Sequence, residues 1–373
     1  MSPSQSENTK RIAKNTLMLY GRMLIGMLVS LYTSRLVLHT LGVEDYGINN
    51  VVGGVVSMFS LISNSLSASV SRFLTFELGR GDLNALKRVF STSLTIHVAL
   101  AVIIVVLTET IGLWFLNTKM TIPAERLYAA NWVFHASLFS FVIGLISVPF
   151  NASIVSHEKM SAFAYIGILD IFLRLFIVLF IAYSPWSFDR LIVFSLLSVG
   201  VSFCMQIIYW AYCKRHFVEC RFKLNFDKSY WKSMSSFAGW NTIGCTAVLL
   251  KDQGVNILLN LFIGPIINAA RGIAGSVNNV LGSFAGNFMT ALNPQITKSY
   301  ASGNYDYMFS LVERGSRFSY YILLLLALPV MFETDFVLTL WLKTYPEHTV
   351  NFVRLVLAVT MCDILSNTLI NLQ

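Results

Sequence analysis

Charge is scarce in this chain. Only 12% of its 373 residues are Asp, Glu, Lys or Arg, whereas 55% are apolar; an average soluble domain carries roughly 25% charged residues. A water-facing globule of this length cannot bury so much apolar surface, which excludes soluble, disordered and fibrous classes. Catalytic signatures are missing as well: there is no GxxxxGKS/T, no HExxH and no GxSxG, so the usual marks of a phosphate-binding loop, a zinc hydrolase and a serine hydrolase are not there. The five cysteines, Cys204, Cys213, Cys220, Cys245 and Cys362, are odd in number and irregular in spacing, and they read as reduced thiols. Cys213, His216 and Cys220 offer three ligands but no fourth, so neither a metal nor any other cofactor is expected.

Long apolar runs are abundant. A membrane helix needs about 20 mostly apolar residues. On that criterion ten spans are expected, near 17–38, 48–70, 92–116, 128–150, 163–183, 191–212, 237–262, 267–290, 319–342 and 350–372. Runs such as VALAVIIVVL are continuous rather than alternating, which favours helices over a closed barrel and makes the class all-α. The first span is too long for a signal-peptide core and is not followed by a small-residue cleavage site.

Lys and Arg fall unevenly across the alternating loops: 17 on the side of the N-terminus and 4 (Lys119, Arg126, Arg190, Lys343) on the other. This asymmetry puts the N-terminus in the cytoplasm. It also accounts for the net charge of +8 without nucleic acid as a partner.

Two pairs of loop glycines, Gly42 with Gly264 and Gly81 with Gly303, share one offset of 222 residues. Six helices separate the members of each pair, so the sequence reads as two parallel six-helix repeats, the second incomplete after four. The expected lobes are 1–222 (spans one to six) and 223–373 (spans seven to ten). On this reading the chain is a fragment of a longer protein.

Spans two, seven and eight are less apolar than the rest. Span two carries Asn64 among many Ser and Asn, and span eight carries Arg271 and Asn278. At 100° per residue Arg271, Gly275, Asn278, Gly282 and Gly286 share one stripe. That stripe reads as a cavity wall or as a close helix-packing seam.

Six cations lie inside spans: Arg22, Arg35, Arg174, Lys251, Arg271 and Arg354. Such charges are costly in lipid and mark functional sites by default. Asp170, four residues before Arg174, makes that pair self-neutralising, and Arg354 is close enough to a span end to snorkel. Arg22, Arg35, Lys251 and Arg271 are therefore the expected anion-binding cations, Arg by its bidentate fork and Lys as a point charge. His97 and His135 read as isolated, and Glu44 with Asp45 is the one acidic pair an enzyme would have in an outer loop.

The segments KRIAKNTLMLYGRML, TLGVEDYGINNVVGG and RFLTFELGRGDLNALKRVF resemble polysaccharide biosynthesis proteins of the O-antigen flippase type, in the multidrug/oligosaccharidyl-lipid/polysaccharide exporter superfamily. The resemblance implies a bacterial inner-membrane transporter with two six-helix lobes in a V, working by alternating access. It further implies undecaprenyl-diphosphate-linked oligosaccharide as substrate, with surface polysaccharide or lipopolysaccharide as the end product and polymerases or glycosyltransferases as neighbours. No enzymatic activity is expected.

Arg22, Arg35, Lys251, Arg271, Asn64 and Asn278 are then the expected substrate contacts, with membrane lipids around them. The alternatives are a cation-coupled multidrug exporter of the same fold and an inactive remnant. An exporter of that kind would use H⁺ or Na⁺ through an unpaired intramembrane carboxylate, for which Asp252, Asp363 and Glu109 are the candidates.

Overall fold

The computed structural model describes residues 3–57, 59–120, 122–184, 188–220, 227–262, 265–342 and 344–365. Among the described residues every regular element is helical: α1 (Pro3–Ser57), α2 (Ser60–Arg80), α3 (Leu83–Leu107), a π-helical turn (Thr108–Gly112), α4 (Leu113–Thr118), α5 (Leu127–Ser156), α6 (Met160–Tyr183), α7 (Arg190–His216), α8 (Lys228–Phe262), α9 (Pro265–Ala301), α10 (Tyr305–Phe332), α11 (Thr334–Leu342) and α12 (Thr349–Ile364). The class is all-α.

Six stretches, Lys10–Gly42, Leu83–Thr118, Ala124–Ser156, Met160–Tyr183, Arg190–His216 and Tyr305–Phe332, are long and apolar enough to cross a bilayer. The chain is a multi-pass membrane protein. Helices α2, α8 and α9, into which the sequence puts Ser, Asn and charged side chains, fall outside that set.

The loop expected at LGVEDYGI is instead a break of one residue. Gly42, at φ 83° and ψ 169°, bends α1 without ending it, a backbone conformation in which any Cβ is strained. The turns at Gly81 and Gly303 fold alike. Each glycine is left-handed (φ 76° and 75°), and the residue after it caps the next helix: Asp82 accepts from the N–H groups of Asn84 and Ala85 at 2.9 Å, and Asn304 from that of Tyr307 at 3.3 Å. The N–H of Ala85, first among its partners, holds the Asp82 carboxyl below its ordinary value. Gly264, the partner of Gly42, lies outside the described residues.

The chain divides into two compact units, Gly21–Thr242 and Met1–Tyr20 with Ile243–Gln373. This boundary differs from the repeat boundary at 222/223, and packing accounts for the difference. Met234 and Ala238, at the start of α8, are buried with Val70, Leu74 and Phe90 of α2 and α3. Ile12 of α1 is buried with Met289, Leu292 and Ile296 of α9.

In the Gly21–Thr242 unit, α5 packs against α2, α3, α6 and α7. Phe90 and Phe150 meet edge to face at 5.4 Å in its core. In the other unit, α9 packs against α10 and α12, burying Ala274, Leu281 and Ala285 with Leu323, Ala327, Val353 and Leu357.

Candidate functional site

Inside the Gly21–Thr242 unit, α1, α5, α6 and α7 line an open cavity of about 370 Å³, within the size range of small-molecule sites. Its lining follows helical spacing. Asn49, Gly53 and Val56 come from one face of α1; Ala136, Ser137, Ser140 and Phe141 from α5; Phe194, Ser195 and Ser198 from α7; and Arg174 from α6. Ser195 and Ser198 donate to the backbone carbonyls of Ile192 and Phe194, both at 2.8 Å, so each hydroxyl keeps acceptor capacity towards the cavity.

Arg174 is held by Asp170, with Nε 3.0 Å from Oδ2 and 3.1 Å from Oδ1. The pair expected from the i,i+4 spacing is formed. Its place at a cavity wall was not legible, because spans four, five and six contain few polar residues. Serine pairs three residues apart on two of those spans, Ser137/Ser140 and Ser195/Ser198, are the signal that marks it.

None of the residues nominated from sequence lines this cavity. Arg22 is stacked on Phe163, its Cζ 4.5 Å from the ring centroid, and lies across Gly167, where a Cβ would come within 2.2 Å of Nε. This contact ties α1 to α6. Arg35, Asn64, Lys251 and Asp363 are exposed and Arg271 is half-buried, while the side chain of Asp252 lies outside the described residues. Asn278 accepts a hydrogen bond from Thr360 Oγ1 at 2.7 Å, joining α9 to α12. Along the Arg271 stripe, a Cβ added at Gly275, Gly282 or Gly286 would meet nothing within 4 Å among the described residues.

Three expectations are corrected. Glu109 is not an unpaired carboxylate and His135 is not isolated: Nδ1 of His135 lies 2.9 Å from Oε1 of Glu109. The π-helical turn that carries Glu109 packs between α3 and α4 next to α5, a local geometry that residue spacing alone does not announce. Asp45 is not a spare catalytic acid, since Arg126 donates through Nε to its Oδ1 at 2.8 Å and through Nη1 to Asp189 at 2.6 Å. Arg354, exposed, donates to the carbonyls of Met331 and Phe332 at 2.9 and 3.5 Å, closing the end of α10.

Cys213 and Cys220 are buried, whereas His216 is exposed and stacked on Tyr212 at 4.3 Å. The three do not converge. At the same end of this unit, the carboxylate of Glu219, 3% exposed, meets Nε2 of His157 at 2.6 Å. Glu77, also 3% exposed, accepts from the phenol of Tyr230 at 3.0 Å.

No protein-family model matches the chain. A curated relative, the membrane protein EpsK of Bacillus subtilis (strain 168), itself uncharacterized, is 21% identical over 328 residues, which are 86% of this chain and 63% of that protein. The chain thus spans less than two thirds of the relative's length.

Among solved structures, an outward-facing multidrug resistance MATE family transporter of the MOP superfamily superposes with a TM-score of 0.78 at 14% identity, covering 97% of this chain and 80% of the other. A MATE transporter in the straight conformation gives 0.79 at 15% identity, covering 98% and 82%. A MOP superfamily transporter from Pyrococcus furiosus, described as having a binding pocket of reverse polarity that suggests a different function, gives 0.74 at 14% identity, covering 96% and 82%. This chain has the fold of these MATE transporters.

Proposed function

We propose that the chain is a membrane transporter that moves undecaprenyl-diphosphate-linked oligosaccharide from the cytoplasmic to the periplasmic leaflet of a bacterial inner membrane by alternating access. The observation that carries this reading is the cavity of the Gly21–Thr242 unit. Four serine hydroxyls, an asparagine and a charge-compensated guanidinium line it, with Phe141 and Phe194 beside them. Hydroxyl and amide groups match the donors and acceptors of a sugar ring, and an aromatic face suits its apolar side. A full counter-charge on Arg174 leaves the cavity polar without making it a strong ion trap.

Arg22, Arg35, Lys251 and Arg271 are each proposed as phosphate contacts during the transport cycle, and Asn64 and Asn278 as contacts of the substrate. Desolvating the diphosphate is the barrier to crossing, and fixed cations and side-chain dipoles replace the lost water. A membrane potential that is negative inside assists export of an anion by about 2.3 kcal/mol per charge per 100 mV. The excess of Lys and Arg on one side supports a cytoplasmic N-terminus.

The second reading is a cation-coupled multidrug exporter, favoured by the fold it shares with MATE transporters. Deleting the gene separates the two. Loss of surface glycan, restored by the wild-type gene and not by a Lys251→Ala, Arg271→Ala double variant, supports the flippase. Unchanged glycan with heightened drug susceptibility supports the exporter.

A further inference from the structure

The first turns of α8 lie across the hairpin that α2 and α3 form. The N–H of Asp227 donates to Thr92 Oγ1 at 3.3 Å, Ser69 Oγ to the Met234 carbonyl at 3.1 Å and the Tyr230 phenol to Glu77 at 3.0 Å. Phe237 meets Phe73 edge to face at 6.4 Å. Met234 and Ala238 are buried by this packing. At 100° per residue the exposed positions Lys228, Ser229, Lys232, Ser233, Ser236 and Trp240 fall within an arc of about 140° on the other side of the helix.

That arc is ordered by chemistry along the helix axis. Lys228 and Lys232 come first, the serine hydroxyls lie beside and beyond them, and Trp240, 73% exposed, comes last. The apolar span expected from the sequence begins at 237, so Trp240 falls where indoles collect at a bilayer surface. Lys232 and Trp240 are about 12 Å apart along the axis, and a lysine stem carries its ammonium further towards the phosphate level. From one end to the other the face therefore matches a charged headgroup, its glycerol and the start of an acyl chain.

The other charged groups beside this stretch are already engaged. Arg72 lies over Phe237 at 4.8 Å, Arg88 lies over Tyr230 at 5.8 Å and 3.8 Å from Asp227, and Arg80 is 3.8 Å from Glu77. Asp227 caps the helix, its Oδ1 accepting from the N–H groups of Ser229 and Tyr230 at 2.9 and 3.4 Å while Oδ2 faces Arg88. Among the described residues Lys228 and Lys232 form no ion pair. Two ammonium groups four residues apart on one helix face repel each other, and an anion held between them relieves that repulsion.

We propose that this face of α8 binds an anionic glycerophospholipid of the leaflet at whose level α8 begins, with the phosphate between Lys228 and Lys232, the glycerol against Ser233 and Ser236, and the acyl chain starting at Trp240. The lipid is a resident ligand and not the cargo, so the site stands or falls independently of the transporter reading.

The test is quenching of Trp240 by lipids with brominated acyl chains. The full chain is placed in phosphatidylcholine nanodiscs into which brominated phosphatidylglycerol or brominated phosphatidylcholine is introduced stepwise, and the difference between wild type and Trp240→Phe isolates this one of the seven tryptophans. A cation at an anionic lipid surface is worth about fivefold in affinity. Half-quenching is therefore expected at a mole fraction about tenfold or more lower for phosphatidylglycerol than for phosphatidylcholine. The preference should be lost in Lys228→Ala, Lys232→Ala and kept in Lys228→Arg, Lys232→Arg, which guards against a folding artefact. Lys87→Ala, which removes an exposed cation from the start of α3, should leave it unchanged. Equal quenching by the two lipids in wild type, a preference that survives the alanine pair, or an equal loss in Lys87→Ala overturns the proposal. So does displacement by inorganic phosphate or by a soluble polyglutamate peptide at constant ionic strength, which would assign the two lysines to a soluble anion or to an acidic protein segment.

Discussion

Asp170 and Arg174 are bound to each other across one turn of α6 at the wall of the polar cavity, 3.0 Å apart. Exposed i,i+4 pairs contribute only about 0.3 to 0.5 kcal/mol, and Arg174 is half-exposed. Stability alone therefore does not account for placing a guanidinium there. The double variant Asp170→Asn, Arg174→Gln is expected to shift the unfolding free energy by less than about 1 kcal/mol while lowering transport roughly tenfold, the effect of losing about 1.4 kcal/mol of substrate interaction. Thermal unfolding in detergent and a transport assay on the same preparation check the two halves separately.

Arg126 joins three parts of the chain: its own turn before α5, Asp45 beyond the kink of α1, and Asp189 at the start of α7. Replacing it with alanine leaves two carboxylates without their shared cation. Arg126→Ala is expected to destabilise the Gly21–Thr242 unit by roughly 1 to 3 kcal/mol, more than Asp45→Asn, because the single arginine serves both acids. Lysine at 126, a point charge that lacks the planar fork, should recover only part of the loss. Chemical unfolding of the three variants measures the order.

Most of the fold was legible from residue spacing alone. Apolar runs separated by Gly81–Asp82 and Gly303–Asn304 set helices and turns, since a left-handed glycine followed by a capping side chain ends one helix and starts the next. The candidate site was less legible. Charge in a span draws attention by its cost, and so Arg22, Lys251 and Arg271 stood out. The cavity is lined mainly by serines whose polarity is partly masked by bonds to their own helix, as at Ser195 and Ser198. The Glu109–His135 contact was hidden for another reason: a π-helical turn changes which side of α3 a residue faces.

The phenol of Tyr230 donates to buried Glu77, and burial first, with that hydrogen bond second, pushes its pKa up to about 12 from an ordinary value of 10. A group whose folded value is raised contributes stability that is complete below its unfolded pKa and lost as pH rises through the folded one. Tyr230→Phe is therefore expected to be less stable than wild type by roughly 1 to 2 kcal/mol at pH 8. The gap should close between pH 10 and about 12, as read by unfolding at several alkaline pH values.

Cys213 and Cys220 are buried. The hydrogen bond that the Cys220 thiol donates to Cys213, then burial, pushes that thiol well above its ordinary range. Since the thiolate is the reactive form, a small uncharged maleimide at pH 8 is expected to modify exposed Cys362 at least tenfold faster than Cys220. In denaturant the two should react alike. Peptide mass spectrometry after timed labelling reads the ratio.

The central claim, that the cavity of the Gly21–Thr242 unit receives the glycan of a lipid-linked oligosaccharide, is tested most directly by reconstitution. The purified full chain is placed in liposomes with a fluorescent undecaprenyl-diphosphate oligosaccharide, and accessibility of the label to an external quencher is followed in time. Wild type is expected to move the label across the bilayer, and Ser198→Phe, which fills the cavity from α7, to slow that movement at least tenfold while keeping the wild-type unfolding temperature. Equal rates for the two proteins, both well above protein-free liposomes, would contradict the assignment.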